Sequence, residues 1–319
     1  MGNKKDKIFN KILISVAAAG AVRETIGRKF IKNYLSREGI KAIIAKGGLM
    51  PSEESACFYE SPEAKAGIEF YRKHIYKNVF TFNKYSDCLH AIYYENEGSN
   101  LYAISCHGFT GDPSQNSIFT KRFYEMGYSV LLPYLRGHGK SEQDTCTMGW
   151  LDRLDIVDWV NFIIQKNPDA KIVLHGASMG AATVMNATGE DLPSNVICCI
   201  EDCGFTNMWE QYRNQIKGTT KFPAEILLAL VNPTLKSKLG FEFKDNSPLG
   251  QVRKSKTPTL FIHGDKDTVV PFEMLDRLFD AASCEKEKLV VKGATHAAAG
   301  YVYPEIYWDA IKAFIAKYM

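Results

Sequence analysis

Residues 176–180 read Gly176-Ala177-Ser178-Met179-Gly180 and stand between two runs of opposite character. Lys171-Ile172-Val173-Leu174-His175 before them has the short, β-branched, apolar make-up of a buried strand. Ala181-Ala182-Thr183-Val184-Met185-Asn186-Ala187 after them can start a helix. A serine in a G-x-S-x-G turn between strand and helix limits what the chain can fold into, because that turn must be sharp. Gly176, Ala177, Gly180 and Ala181 are small enough for strand and helix to approach closely there. The turn lifts the Ser178 hydroxyl above a sheet edge, and a serine is a useful nucleophile only where a fold presents and activates it. Five residues alone also fit an incidental serine in a glycine turn, so the remaining sequence has to decide between the two readings.

Two partners follow in order. Asp267 lies in Thr259-Leu260-Phe261-Ile262-His263-Gly264-Asp265-Lys266-Asp267, where an apolar strand gives way to an acidic loop. His296 lies in Lys288-Leu289-Val290-Val291-Lys292-Gly293-Ala294-Thr295-His296, again just past a strand. The C-terminal ends of strands in an open α/β sheet are where ligands bind. A neutral His296 would take the Ser178 proton and return it to a leaving group, while Asp267 would fix the imidazole tautomer. Asp265, two residues earlier, competes for the acid position, though Asp267 stands further out on the loop. Asp202, at the end of an earlier strand, is a second competitor, and its plainer reading is a turn or capping aspartate. The anion formed at an attacked carbonyl needs backbone N–H donors. Met179, directly after the serine, and Phe109, in the loop after Leu101–Cys106, are the expected pair, with His107 and Gly108 shaping that loop.

His107-Gly108-Phe109-Thr110-Gly111, Arg136-Gly137-His138-Gly139-Lys140-Ser141, the 176–180 pentapeptide, His263-Gly264-Asp265-Lys266-Asp267 and Thr295-His296 together resemble an α/β-hydrolase. The branch most resembled holds monoacylglycerol-lipase-like and prolyl-aminopeptidase-like serine hydrolases, and the resemblance runs over roughly residues 75–319. It implies a mostly parallel eight-stranded sheet with helices on both faces and a helical cap insertion. It also implies a Ser178-His296-Asp267 triad, no cofactor, and cleavage of ester, thioester or amide bonds. A metal is the competing use of the strand-end histidines His107, His175 and His263. Neither His-x-x-x-His nor Cys-x-x-Cys spacing supports one, so no metal is expected and each ring is read as capping a strand end.

Alternating strands and helices from residue 75 onward argue for a parallel sheet. The expected pieces are a helix over 62–75, an antiparallel pair over Asn78–Tyr85 and Leu89–Tyr94, and strands Leu101–Cys106, Ser129–Pro133 and Val196–Glu201. Helices are expected over Ile118–Met126 and Trp150–Gln165. More than fifty residues separate the strand at 196–201 from Pro258, and 205–250 is read as a cap rich in Trp209, Leu227 and other apolar residues. Trp209 and Leu227 are the expected substrate contacts. Residues 205–256 hold nine Lys/Arg against four Asp/Glu, a balance that favours acyl or anionic substrates. An aminopeptidase would instead need Glu210, Glu225, Glu242 or Asp245 to hold a substrate amino group.

Charge divides the chain into a basic arm over 1–48 and a hydrolase domain over 49–319. The arm holds eleven Lys/Arg against three Asp/Glu, the remainder twenty-eight against thirty-three. Ile12–Val22 is uncharged and follows four lysines, as in a secretory signal, but is too short to cross a bilayer core of about 30 Å. Residues 25–46 are amphipathic, with Ile26, Phe30, Ile31 and Tyr34 on one face. A membrane-surface tether or a helix packed on the body comes first, a cleaved signal second, a spanning anchor third. The eight cysteines fall in no metal-type spacing and read as reduced thiols, which favours a cytoplasmic protein over an exported one. Nucleic acid is excluded as a partner by the lack of any reader motif, and no phosphate-cradling G-x-x-x-x-G-K-[ST] occurs. The leading expectation is a serine hydrolase of carboxylic esters working through an acyl-enzyme. A serine aminopeptidase or amidase stands second, and a non-catalytic ligand-binding module third.

Overall fold

The computed structural model describes residues 20–48, 55–217 and 223–319. Among the described residues there are eight strands: β1 Lys77–Phe82, β2 Cys88–Tyr94, β3 Leu101–Cys106, β4 Ser129–Pro133, β5 Lys171–Ala177, β6 Val196–Asp202, β7 Thr259–Gly264 and β8 Lys286–Val291. They form one sheet in the order β1-β2-β4-β3-β5-β6-β7-β8. The β1/β2 and β2/β4 pairs are antiparallel, and every pair from β4 to β8 is parallel. This is the expected α/β-hydrolase sheet.

Residue chemistry sets the strand ends. β1 stops at Phe82, three residues short of the expected Tyr85, because Asn83 makes the turn: its Oδ1 accepts the N–H groups of Tyr85 at 2.9 Å and Asp87 at 3.0 Å. The helix expected from Trp150 begins at Asp152, whose carboxylate accepts from the Thr147 hydroxyl at 2.6 Å and from Gly149 N–H at 3.2 Å. The central strands alternate faces with period two. Ile104, Ile172, Leu174 and Cys199 join one core with Trp159 and Met179, whereas Ala103, Val173 and Ile200 join another with Phe119, Phe123, Trp308 and Phe314. The sheet is thus covered on both faces by helices.

The described part of the basic arm is built into the body. Residues 20–30 are helical, a π turn Ile31–Leu35 continues them, and Ser36 caps the helix Arg37–Ala45 by accepting from Gly39 N–H at 3.1 Å. Phe30, Leu35 and Ile40 are buried. Leu35 accepts from Cys146 N–H at 2.7 Å, and the Arg37 guanidinium bonds the carbonyls of Gly139, Ser141 and Gln143. Thr234 of the helix Ala224–Leu239 meets the arm by donating to Glu24 at 3.0 Å. These contacts match the packed-helix reading. Most of Ile12–Val22 lies outside the described residues. No described helix is long and apolar enough to cross a membrane.

Candidate active site

The turn after β5 holds Ser178 at φ 58° and ψ −118°, a conformation suited to glycine and costly for serine. The turn is tight because its glycines leave no room. A Cβ on Gly176 would run into the Gly180 carbonyl, and one on Gly180 into the Cys106 carbonyl. Ser178 N–H donates to the Asp202 carbonyl at 2.8 Å, tying the turn to the end of β6. The helix Met179–Thr188 that follows is buried along its whole length.

The structure brings Ser178, His296 and Asp267 together from 118 and 29 residues apart. Ser178 Oγ donates to His296 Nε2 at 2.8 Å, and His296 Nδ1 donates to Asp267 Oδ2 at 2.7 Å. Asp267 Oδ1 accepts the N–H groups of Val269 at 2.9 Å and Val270 at 2.8 Å. His263 adds a contact not anticipated in the sequence. Its Nε2 lies 3.1 Å from Asp267 Oδ2 and 3.1 Å from the Val270 carbonyl, buried behind the acid. Burial alone would raise the Asp267 pKa, but His296 and His263 outweigh it and hold the carboxyl well below its ordinary range.

The competing acids do other things. Asp265 accepts from Gly293 N–H at 2.7 Å and so braces the loop after β8. Asp202 is buried beside His263 and His296 rather than capping a turn. Burial lifts its pKa to about 6, against the pull of His263 and His296. Cys203, Asp267 and His296 place donor atoms within 4.8 Å of one another. Two of those three are bonded to each other, and burial drives the Cys203 thiol pKa upward, so the set is a poor metal cradle.

The three strand-end histidines differ. His107 Nδ1 donates to the Gly108 carbonyl at 2.8 Å and its Nε2 accepts Leu135 N–H at 3.2 Å, a local cap as expected. His175 is no strand-end cap, because β5 runs on to Ala177. Its ring bonds Ser105 at 2.8 Å and Tyr307 at 3.3 Å across the fold. The Arg136–Ser141 motif supports the site from behind. Arg136 makes a two-pronged bond to Asp155, at 2.6 and 2.7 Å, and the His138 ring packs 5.0 Å from that of His107. The 107–109 loop so held runs beside Ser178: a Cβ on Gly108 would lie 3.6 Å from Ser178 Cβ. Met179 opens its helix, so its N–H is one that a helix leaves without an internal acceptor.

A cavity of about 390 Å³ opens over Ser178 and His296 and includes Phe109 in its wall. Trp209 and Leu227 are not in that wall. Trp209 lines a separate polar depression with Glu210 and Arg213, and both side chains pack on the core. From the 205–250 segment the cavity takes Phe205, Gln211 and Gln215 instead, and Phe58, Ala64 and Ile68 from before the sheet. None of the four cap carboxylates reaches it. Glu210 is held by Arg277 at 2.7 Å, Glu242 by Lys236 at 2.8 Å, Glu225 lies 4.0 Å from Arg213, and Asp245 bonds Glu242 N–H at 2.7 Å. Among the described residues, His296 is the single Asp, Glu, Lys, Arg or His in the wall.

Comparison with known proteins agrees with this fold. Residues 104–244 match the model of the α/β hydrolase fold family. The uncharacterized protein YqkD of Bacillus subtilis is 27% identical over 213 residues, covering 66% of this chain and 70% of that one. A thermostable monoacylglycerol lipase of Bacillus sp. strain H-257 is 27% identical over 239 residues, covering 70% and 93%. Among solved structures, the Pyrococcus furiosus esterase Pf2001 superposes with a TM-score of 0.63 at 24% identity, over 77% of this chain and 93% of that one. The chain has the α/β-hydrolase fold and is similar in sequence to proteins of that superfamily. Family and fold together support hydrolase activity.

Proposed function

We propose that the protein is a serine hydrolase of carboxylic esters. The observation that carries this reading is the hydrogen-bonded chain Ser178–His296–Asp267 in a cavity that has, among the described residues, no other charged side chain in its wall. Ser178 Oγ attacks the acyl carbonyl carbon while His296 Nε2 takes its proton, and Asp267 holds the Nδ1–H and stabilises the imidazolium. The oxyanion forms against the N–H groups of Phe109 and Met179. Its collapse breaks the ester C–O bond, and the departing alkoxide takes the proton from His296. Water then repeats the sequence on the acyl-enzyme, releasing the acid and restoring Ser178.

An ester fits better than a peptide with a free amino terminus, because a buried ammonium needs a carboxylate partner. The four cap carboxylates all face elsewhere. A relative named as a monoacylglycerol lipase is in line with this reading. Hydrolysis of p-nitrophenyl butyrate tests it. Wild-type protein should turn the ester over, and Ser178→Ala should lose at least about a thousandfold in kcat/KM. Equal rates in the two proteins would remove Ser178 from the mechanism.

A further inference from the structure

We infer that the acyl chain lies against the helix Pro62–Lys73, ahead of the sheet, and that Ile68 on this helix sets the acyl length accepted. This rests on the ester-hydrolase reading and deepens it. Ser178 and His296 are in the cavity's lining, which draws on both apolar cores of the fold. From one core come Phe58, Ala64, Ile118, Phe119 and Tyr301, which pack in one apolar cluster, and Ile68 lines the cavity from the same helix as Ala64. Phe58 and Tyr301 stand edge to face at 4.8 Å, Phe119 and Tyr301 at 6.1 Å. The helix presses onto Ile118 so closely that Gly67 has no room for a Cβ. Three polar groups in the lining near this wall are already committed. The Ser114 hydroxyl bonds Asp112 at 2.5 Å, the Asn116 amide bonds Ser105 at 3.1 Å, and the Gln115 carbonyl accepts from Tyr301 at 3.2 Å.

The lining also offers amides, Gln211 and Gln215, beside Phe205 and Met148 from the other core. Gln211 donates to the Val269 carbonyl at 3.0 Å, and its Oε1 has no hydrogen-bond partner among the described residues. An acyl chain carries no polar atom beyond its carbonyl, so it belongs on the apolar side, where it leaves no polar group unpaired. The alcohol, with its own oxygen, belongs on the amide side. Ile68 is half-buried, lines the cavity and sits on a helix otherwise anchored by Ala64, Gly67 and Phe70. The substrate class is therefore a neutral ester with a flexible alkyl acyl group. At about 390 Å³ the space is in the usual range for a small ligand.

The test is the ratio of kcat/KM for p-nitrophenyl octanoate over acetate, in wild type, Ile68→Trp, Ile68→Ala and Leu227→Ala. A filled pocket is expected to cost at least about tenfold per excluded group, so Ile68→Trp should lower the ratio by about that factor. Ile68→Ala should move the optimum to longer esters, and Leu227→Ala should leave the ratio unchanged. Ile68→Ala only removes atoms, which keeps the test intact if the tryptophan variant does not fold. Displacement of a fluorescent dye by methyl octanoate on Ser178→Ala protein supplies a readout independent of turnover. Displacement weakened by Ile68→Trp supports the wall even if no ester is turned over, an outcome that would sink the ester-hydrolase reading alone. Serine-dependent turnover with a ratio unmoved by both Ile68 variants, or moved equally by Leu227→Ala, overturns the wall.

Discussion

The backbone at Ser178 makes a stability prediction of unusual sign. At φ 58° and ψ −118° a residue with a Cβ is strained by about 1–3 kcal/mol. Glycine escapes that strain, but its freer unfolded chain costs about 0.5–1 kcal/mol. Ser178→Gly and Ser178→Ala both delete the hydroxyl and its bond to His296, so comparing them cancels that loss. The glycine variant should be the more stable by about 1 kcal/mol, equal to roughly 2 °C in a chain of this size. At an ordinary position the order reverses, and alanine wins. Differential scanning calorimetry of the two inactive variants measures it. A glycine variant that melts at or below the alanine variant would refute the claim that the turn stores strain to present the nucleophile.

Two further predictions concern buried carboxyls. The folded-state pKa of Asp202 is raised from 3.8 to about 6, so its contribution to stability is full below the unfolded value and is lost as pH rises through the folded one. Asp202→Asn should therefore stabilise the protein at pH 7.5 by about 3 kcal/mol, with the gain vanishing near pH 4; a gain that is the same at both pH values counts against this. Arg136→Ala strands Asp155 in the interior, where both partners are under a tenth exposed, and should cost about 3–5 kcal/mol by urea denaturation. Burial already lifts the Asp155 pKa to about 6, and losing Arg136 lifts it further, so the loss should be greater at pH 8 than at pH 5; an unchanged urea midpoint would mean the pair does not hold the loop.

The strands, and the meeting of Ser178, Asp267 and His296 at one sheet edge, were legible because both are written locally. β3 and β4 fall on their expected residues since a short apolar run between turn residues has one way to sit in a sheet. Ser178, Asp267 and His296 each follow a strand, and a parallel sheet brings strand ends to one edge. What was not legible depends on contacts between distant segments. Trp209 and Leu227 are apolar and in the expected insertion, yet composition does not say which face of a helix meets the cavity. The wall came instead from Phe58, Ala64 and Ile68, which lie ahead of every motif. His263 behind Asp267 had a sequence signal in its i,i+4 spacing, but its place at a strand end suggested a cap. The basic arm stood apart in the sequence by its charge balance alone, eleven Lys/Arg against three Asp/Glu. In its described part Leu35 and Ile40 are buried, a packing that the charge count could not reveal.

The central claim is that Ser178 is the nucleophile, and covalent capture tests it most directly. An alkyl fluorophosphonate forms a phosphorus–oxygen bond to an activated serine and releases fluoride. Treated protein should gain one adduct, which peptide mass spectrometry should place on Ser178, and His296→Ala should label far more slowly. Stoichiometric labelling elsewhere, or none on wild-type protein that remains folded, would contradict the account.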